Sequence, residues 1–301
     1  MIKMIFNLYK PRQSNKKKHK RLIQLRYKTI AISYILIIFL GGCQSIDPYT
    51  QQLNQSHIKT NFLSSTQLPI TAWIPKAGSK SDTLRLYIEG DGRAWVKRNK
   101  ISPDPTPTNR LVHALILKDK KNDVAYIGRP CQFNKNSYCT PLLWTFARYD
   151  EQSIQAINEI LDQIKMEKHY KKIELVGFSG GATIALLLAS RRNDISSVRT
   201  VAGNLDPEYT NKLHQVSKMP TALNPSLESS KLQFIPQWHF IGTRDNIIKP
   251  SILSHYRSHF KNQTCINSTL VNGASHNSGW IDKWPKLLEL LPACQQRQSE
   301  K

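Results

Sequence analysis

The stretch that most constrains this 301-residue chain is Gly177-Phe178-Ser179-Gly180-Gly181. It follows the apolar run Ile173–Val176 and opens a second, almost wholly apolar run, Ala182–Ser190. A short continuous apolar run reads as a strand covered on both faces, and a helix that is apolar all round must also be buried. Five residues between them leave room for only one sharp bend. The flanks of such a bend must be small, and the serine hydroxyl is pushed out at the carboxyl edge of the strand. The helix N-terminus then aims free N–H groups and its positive dipole end at any negative charge that develops there.

The surrounding pattern agrees with this geometry. Short apolar or β-branched runs recur at Ile70–Ile74, Leu84–Ile88, Val124–Ile127, Val198–Val201, Trp238–Ile241 and Thr269–Val271. Helical stretches lie between them. Glu151–His169 carries Ile154, Ile157, Leu161 and Ile164 at helical spacing, with Asp150 as N-cap. Arg110–Lys118 and Trp280–Leu291 read as further helices, and residues 207–236 as a long irregular insertion. Strands alternating with helices predict an α/β fold with a mostly parallel central sheet and helices on both faces.

A serine hydroxyl is a weak nucleophile near neutral pH and needs a base, and the base needs an orienting group. Asp245 follows the strand at Trp238–Ile241, and His276 follows the strand at Thr269–Val271. The order Ser, Asp, His and the strand–turn–helix around Gly177–Gly181 resemble the α/β-hydrolase superfamily over roughly residues 68–292. The segments Glu89-Gly-Asp-Gly-Arg-Ala-Trp95, Gly128-Arg-Pro-Cys131 and Asn204-Leu-Asp206 are similar to those of a group of bacterial hydrolase-like lipoproteins. The resemblance implies a serine esterase or lipase-like enzyme with Ser179, Asp245 and His276 as triad, acting on a small-molecule ester. It implies an oxyanion hole from the backbone N–H groups of Gly180 and Asp91, with Gly92 as the other choice for the second donor. Glu89 stands where the commonest pattern has histidine. Asp206, after the preceding strand, is the competing acid. An inactive hydrolase-fold binding or scaffolding lipoprotein is the competing function. Arg93, Arg129, Arg148, Trp95, Trp144 and Trp280 sit in or near segments expected to border the site.

No metal or cofactor is called for. His255 and His259 are spaced as two ligands on one helix face, but the sequence supplies no third, so a solvated helix face is expected.

The net charge is +22, yet ten of the basic side chains fall in residues 1–28 without one acid, leaving +12 for the rest. An uncharged stretch, 29–42, follows and ends at Leu40-Gly41-Gly42-Cys43. A basic region, a short apolar run and small residues describe a secretory signal, and the last four residues resemble a bacterial lipobox. The expectation is a signal over 1–42, a flexible tether over 43–67 from an acylated Cys43, and a hydrolase domain over 68–301; an uncleaved anchor is the alternative. Cys43 would hold the chain to a lipid membrane of the bacterial cell envelope, and Gln44 after it favours the outer membrane. The other cysteines, Cys131, Cys139, Cys265 and Cys294, allow three pairings; the sequence-local pairs 131–139 and 265–294 are favoured. The remaining Lys and Arg are scattered, without the clustered basic and stacking side chains of a nucleic-acid binder, so no nucleic-acid partner is expected.

Overall fold

A computed structural model describes residues 47–77, 81–121 and 123–295. Residues 1–46, including Cys43 and the signal-like stretch, lie outside them. The chain enters through helix α1 (Pro48–Ser56) and strand β1 (His57–Leu63), which pairs antiparallel with β2 (Pro69–Pro75). Strand β3 (Thr83–Ile88) leads to a small hairpin, β4 (Trp95–Lys97) and β5 (Lys100–Ile101), then to α2 (Leu111–Lys118) and β6 (Val124–Ile127). Then come α3 (Glu151–Lys168), β7 (Lys172–Phe178), α4 (Gly180–Ala189) and β8 (Ile195–Val201). Short helices α5 (Pro207–Leu213) and α6 (Ser229–Leu232) precede β9 (Gln237–Gly242), α7 (Pro250–Ser258), β10 (Ile266–Val271) and α8 (Trp284–Leu288).

The main sheet has eight strands in the order β1-β2-β6-β3-β7-β8-β9-β10. From β6 to β10 every neighbouring pair is parallel, and only the pairings made by β2 are antiparallel. Apolar side chains cover both faces. Ile154, Ile157, Leu161 and Ile164 of α3 pack with α4 in one cluster. Leu111 and Leu115 of α2 pack with Phe240, Trp280 and Trp284 in another. The α3 N-terminus is held as expected, the Asp150 carboxylate accepting from the Ser153 amide at 2.9 Å. No described helix is long and apolar enough to cross a membrane.

Two expectations are corrected. The stretch read as a tether is, over 48–63, a helix and an edge strand. Asp47 caps α1 by accepting from the amides of Tyr49 and Thr50, Pro48 opens it, and Leu53 is its one buried side chain. One buried residue gives no periodicity, and β1 is solvated along most of its length. The 207–236 stretch is not irregular throughout, since it contains α5, α6 and a single 3₁₀ turn at Pro225–Glu228.

The four described cysteines form Cys131–Cys139 and Cys265–Cys294. Each closure stabilises by roughly 2–4 kcal/mol by restricting the unfolded chain, more for the longer loop. The first bond ties down the loop after β6. The second clips the C-terminal segment to the start of β10.

Away from the carboxyl edge, the sheet carries a buried charge cluster. Arg85 and Glu174 are register partners on β3 and β7, with Nε to Oε2 at 2.7 Å. The same guanidinium donates to both carboxylate oxygens of Asp119, at 2.8 and 2.9 Å. Tyr87 donates to Asp119 at 2.6 Å and in turn accepts from the Trp284 indole at 3.0 Å.

Candidate active site

The bend after β7 has the conformation its sequence demands. Ser179 sits at φ +51° and ψ −118°, a region L-residues rarely occupy. A Cβ at Gly177 would lie 2.5 Å from Gly181 O and Ala182 Cα, so a larger residue there would force the turn open. Backbone bonds fix the strained serine from both sides: its N–H donates to Val201 O at 3.0 Å, and its carbonyl accepts from Asn204 N at 2.9 Å.

Two later loops bring the other groups. The loop after β9 carries Asp245 and the loop after β10 carries His276. Main-chain bonds join the loops, Arg244 N to Ala274 O at 2.9 Å and Thr243 N to Val271 O at 3.1 Å. The Trp280 indole anchors the His276 loop by donating to Ser275 O at 2.7 Å. His276 Nδ1 lies 3.0 Å from Asp245 Oδ2, and its Nε2 lies 3.0 Å from Ser179 Oγ. The other oxygen of Asp245 accepts from the amides of Ile247 and Ile248, at 2.8 and 2.9 Å. The carboxylate is buried and directed, while the imidazole keeps some exposure, 14% of its side chain. Serine, imidazole and carboxylate therefore meet in one line, residues 179, 276 and 245.

Asp206 does not join them. Its Oδ1 accepts from Tyr209 N and Asn224 Nδ2, and its Oδ2 from Ser226 Oγ at 2.7 Å and His255 Nδ1 at 3.0 Å. Although burial pushes its pKa up, these donors hold it below the usual carboxylate value. The expected competitor of Asp245 is thus a cap for α5 that pairs with a different histidine. Asp206, His255 and His259 also place ligand atoms within 4.8 Å of one another, a grouping that could hold a metal ion. A metal at that Oδ2 would have to displace the Ser226 or His255 hydrogen bond.

The loop after β3 reaches Ser179. Asp91 lies against Gly180, its Oδ1 only 2.0 Å from where a Cβ of Gly180 would sit. Gly180 is the first residue of α4, and the leading N–H groups of a helix have no intrahelical acceptor. The Asp91 carboxylate accepts from Tyr149 Oη at 2.9 Å, pairs with Arg129 Nη1 at 3.2 Å and lies 3.0 Å from Arg148 Nε. Two cations thus offset a carboxylate placed beside Gly180. Arg129 and Arg148 are also linked directly, Arg129 Nη2 donating to the Arg148 carbonyl.

Glu89 is buried beneath this loop. Its Oε1 accepts from Gly90 N at 2.9 Å and its Oε2 from Tyr126 Oη at 2.8 Å. Gln132 braces the same turn, donating to Gly90 O at 3.1 Å while accepting from Arg129 N at 2.9 Å. Glu89 therefore holds the loop's backbone. Tyr126, Gln132 and Tyr149 were not singled out from sequence, because their partners lie 58, 42 and 37 positions away for Tyr149, Gln132 and Tyr126.

Burial lifts the Glu89 carboxyl to about 7, with the Tyr126 and Gly90 donors and the charges of Arg110 and Arg129 opposing that rise. The folded state thus binds this proton more tightly than the unfolded chain. The resulting stabilisation is full below about pH 4.5 and is lost as pH rises through about 7. Glu89→Gln should remove this dependence. Its stability relative to wild type should rise between about pH 5 and about pH 8, approaching about 3 kcal/mol in the limit. Urea unfolding at several pH values checks this, and a difference that does not change with pH would contradict it.

The arrangement defines a class by its architecture: the chain has the α/β-hydrolase fold. No family model and no curated protein sequence matches it. Among solved structures it is similar to an esterase of Pyrococcus furiosus, with 16% identity, 79% of this chain and 92% of that chain covered, and a TM-score of 0.55. It is also similar to Est1E of Butyrivibrio proteoclasticus, with 13% identity, 78% and 96% covered, and a TM-score of 0.53. The esterase domain of a Rhodothermus marinus protein gives 12% identity, 77% and 94% covered, and a TM-score of 0.52.

Proposed function

We propose that this protein is a serine hydrolase that cleaves carboxylic esters through an acyl-enzyme on Ser179. The observation that carries this reading is the Asp245–His276–Ser179 line, with both hydrogen bonds at 3.0 Å. In the proposed reaction, His276 Nε2 takes the Ser179 proton as Oγ attacks the ester carbonyl. Asp245 holds the imidazole tautomer and stabilises the imidazolium that forms. The amides of Gly180 and Asp91 donate to the oxyanion. His276 then protonates the departing alkoxide, leaving the acyl group on Ser179. Water, deprotonated by His276, attacks that acyl group, and the carboxylic acid leaves as Ser179 regains its proton. An alcohol or amine in place of water would make the same site an acyltransferase. The esterase names of the fold's relatives support the ester substrate class.

The proposal extends to place. Acylation of Cys43 would hold the enzyme at a membrane of the bacterial envelope, through two or more lipid chains. The support is the sequence alone: the basic stretch, the uncharged run and Leu40-Gly41-Gly42-Cys43.

A panel of p-nitrophenyl esters of graded acyl length tests the activity. Wild type should release p-nitrophenol from at least one ester, and Ser179→Ala should not do so above a folded control protein. Equal rates for the two proteins would refute the reading.

A further inference from the structure

A groove of about 430 Å³ lies between the β4–β5 hairpin and the segment after α5. Its apolar lining is Trp95, Phe146, Val216 and Met219. Trp95 and Phe146 meet edge to face, with ring centroids 5.9 Å apart. Lys97, Arg98 and Arg148 also line the groove, and no Asp or Glu does. Lys97 and Arg98 are exposed.

The groove connects to the proposed chemistry through one side chain. Arg148 lines it and, at 3.0 Å, pairs with Asp91, whose carboxylate lies against Gly180. The Asp91 charge is shared by Arg129 and Arg148 and is spent inside the site. Nothing acidic in the groove offsets Lys97 and Arg98. The hairpin that carries them has the sequence Arg93-Ala-Trp-Val-Lys-Arg-Asn-Lys-Ile101, with four cations and no acid. An apolar floor with an unopposed cationic rim is complementary to a chain that is apolar along its length and negatively charged at its end. A neutral acyl chain would satisfy the floor and leave the rim with water alone.

We infer that the substrate is an ester whose apolar portion carries an anionic group, a carboxylate or a phosphate, seated between Trp95 and Met219 with its charge at Lys97 and Arg98. The inference rests on the esterase reading of Ser179 and specifies its substrate class. The attraction is between partly exposed charges, so it weakens with salt as the screening length shortens.

The test compares kcat/KM for matched anionic and neutral esters. One arm uses the mono-p-nitrophenyl ester of octanedioic acid against p-nitrophenyl octanoate, and the other the p-nitrophenyl ester of 8-(phosphonooxy)octanoic acid against the same neutral ester. In at least one arm the anionic ester should be preferred, the arm identifying which anion is taken. The anionic-to-neutral ratio should fall at least roughly tenfold in the Lys97→Glu/Arg98→Glu double variant, and also between about 0.05 M and about 0.5 M salt. The ratio is the readout, so a general loss of activity in the variant does not mimic the effect. A ratio unchanged by the variant in both arms overturns the inference while leaving the Ser179 reading intact. Absence of turnover for every ester, with Ser179 unreactive in folded protein, overturns both.

Discussion

His276→Ala is expected to lower kcat/KM for an activated ester roughly 10⁴- to 10⁶-fold, because the serine then loses the base within hydrogen-bond reach of its hydroxyl. The 3.0 Å approach of Nε2 to Ser179 Oγ is the geometry that a general base needs. Asp245→Asn should cost roughly 10⁴-fold by a different route. An amide can donate toward Nδ1, which favours the tautomer with its proton on Nε2 and leaves no lone pair facing the serine. The paired control is Asp206→Asn. Asp206 contacts His255, Ser226, Asn224 and Tyr209 and nothing in the reacting line. That variant should lose thermal stability and keep most of its turnover. Steady-state rates on the purified variants check all three. The opposite order, with Asp206→Asn dead and Asp245→Asn active, would reverse the assignment of the acid.

The largest stability effect should come from a residue far from the chemistry. Asp119 accepts from Arg85 twice and from Tyr87 once, and its side chain is 2% exposed. Asp119→Ala leaves a buried guanidinium with a smaller counter-charge and a buried phenol without its acceptor. Removing one partner of such a pair costs roughly 3–5 kcal/mol, because the remaining charge stays desolvated. For a domain of this size that lowers Tm by roughly 10 °C. The contrast is Glu151–Arg191, whose carboxylate side chain is 63% exposed. Glu151→Ala should cost under about 1 kcal/mol, since water already screens that pair. Thermal melts of both variants decide the matter, and equal small effects would show that Arg85 finds sufficient compensation in Glu174.

These expectations differ in how far they were legible in the sequence. The bend at Ser179 was legible because its constraint is local: an apolar strand, a clash at Gly177 that any side chain would make, and a buried helix are all within twenty residues. The parallel strands were legible for the same reason, since burial on both faces leaves little room for polar residues. The entry segment is not legible in the sequence, because α1 buries only Leu53 and β1 is an edge strand, so neither carries a strong pattern. The choice between Asp245 and Asp206 could not be made from chain order, since each follows a strand. It depends on which loop packs against the His276 loop, and that is a tertiary contact. Glu89 shows the same limit. Its sequence position marked it as unusual, but its role in holding Gly90 depends on Tyr126, a partner 37 positions away.

The most direct measurement is reaction of the folded protein with a fluorophosphonate probe, followed by mass mapping of the adduct. An activated serine attacks phosphorus and expels fluoride, so the account predicts one adduct on the peptide containing Ser179, lost in Ser179→Ala and strongly slowed in His276→Ala. Folded wild-type protein that stays unlabelled, or carries its adduct on another residue, would contradict it.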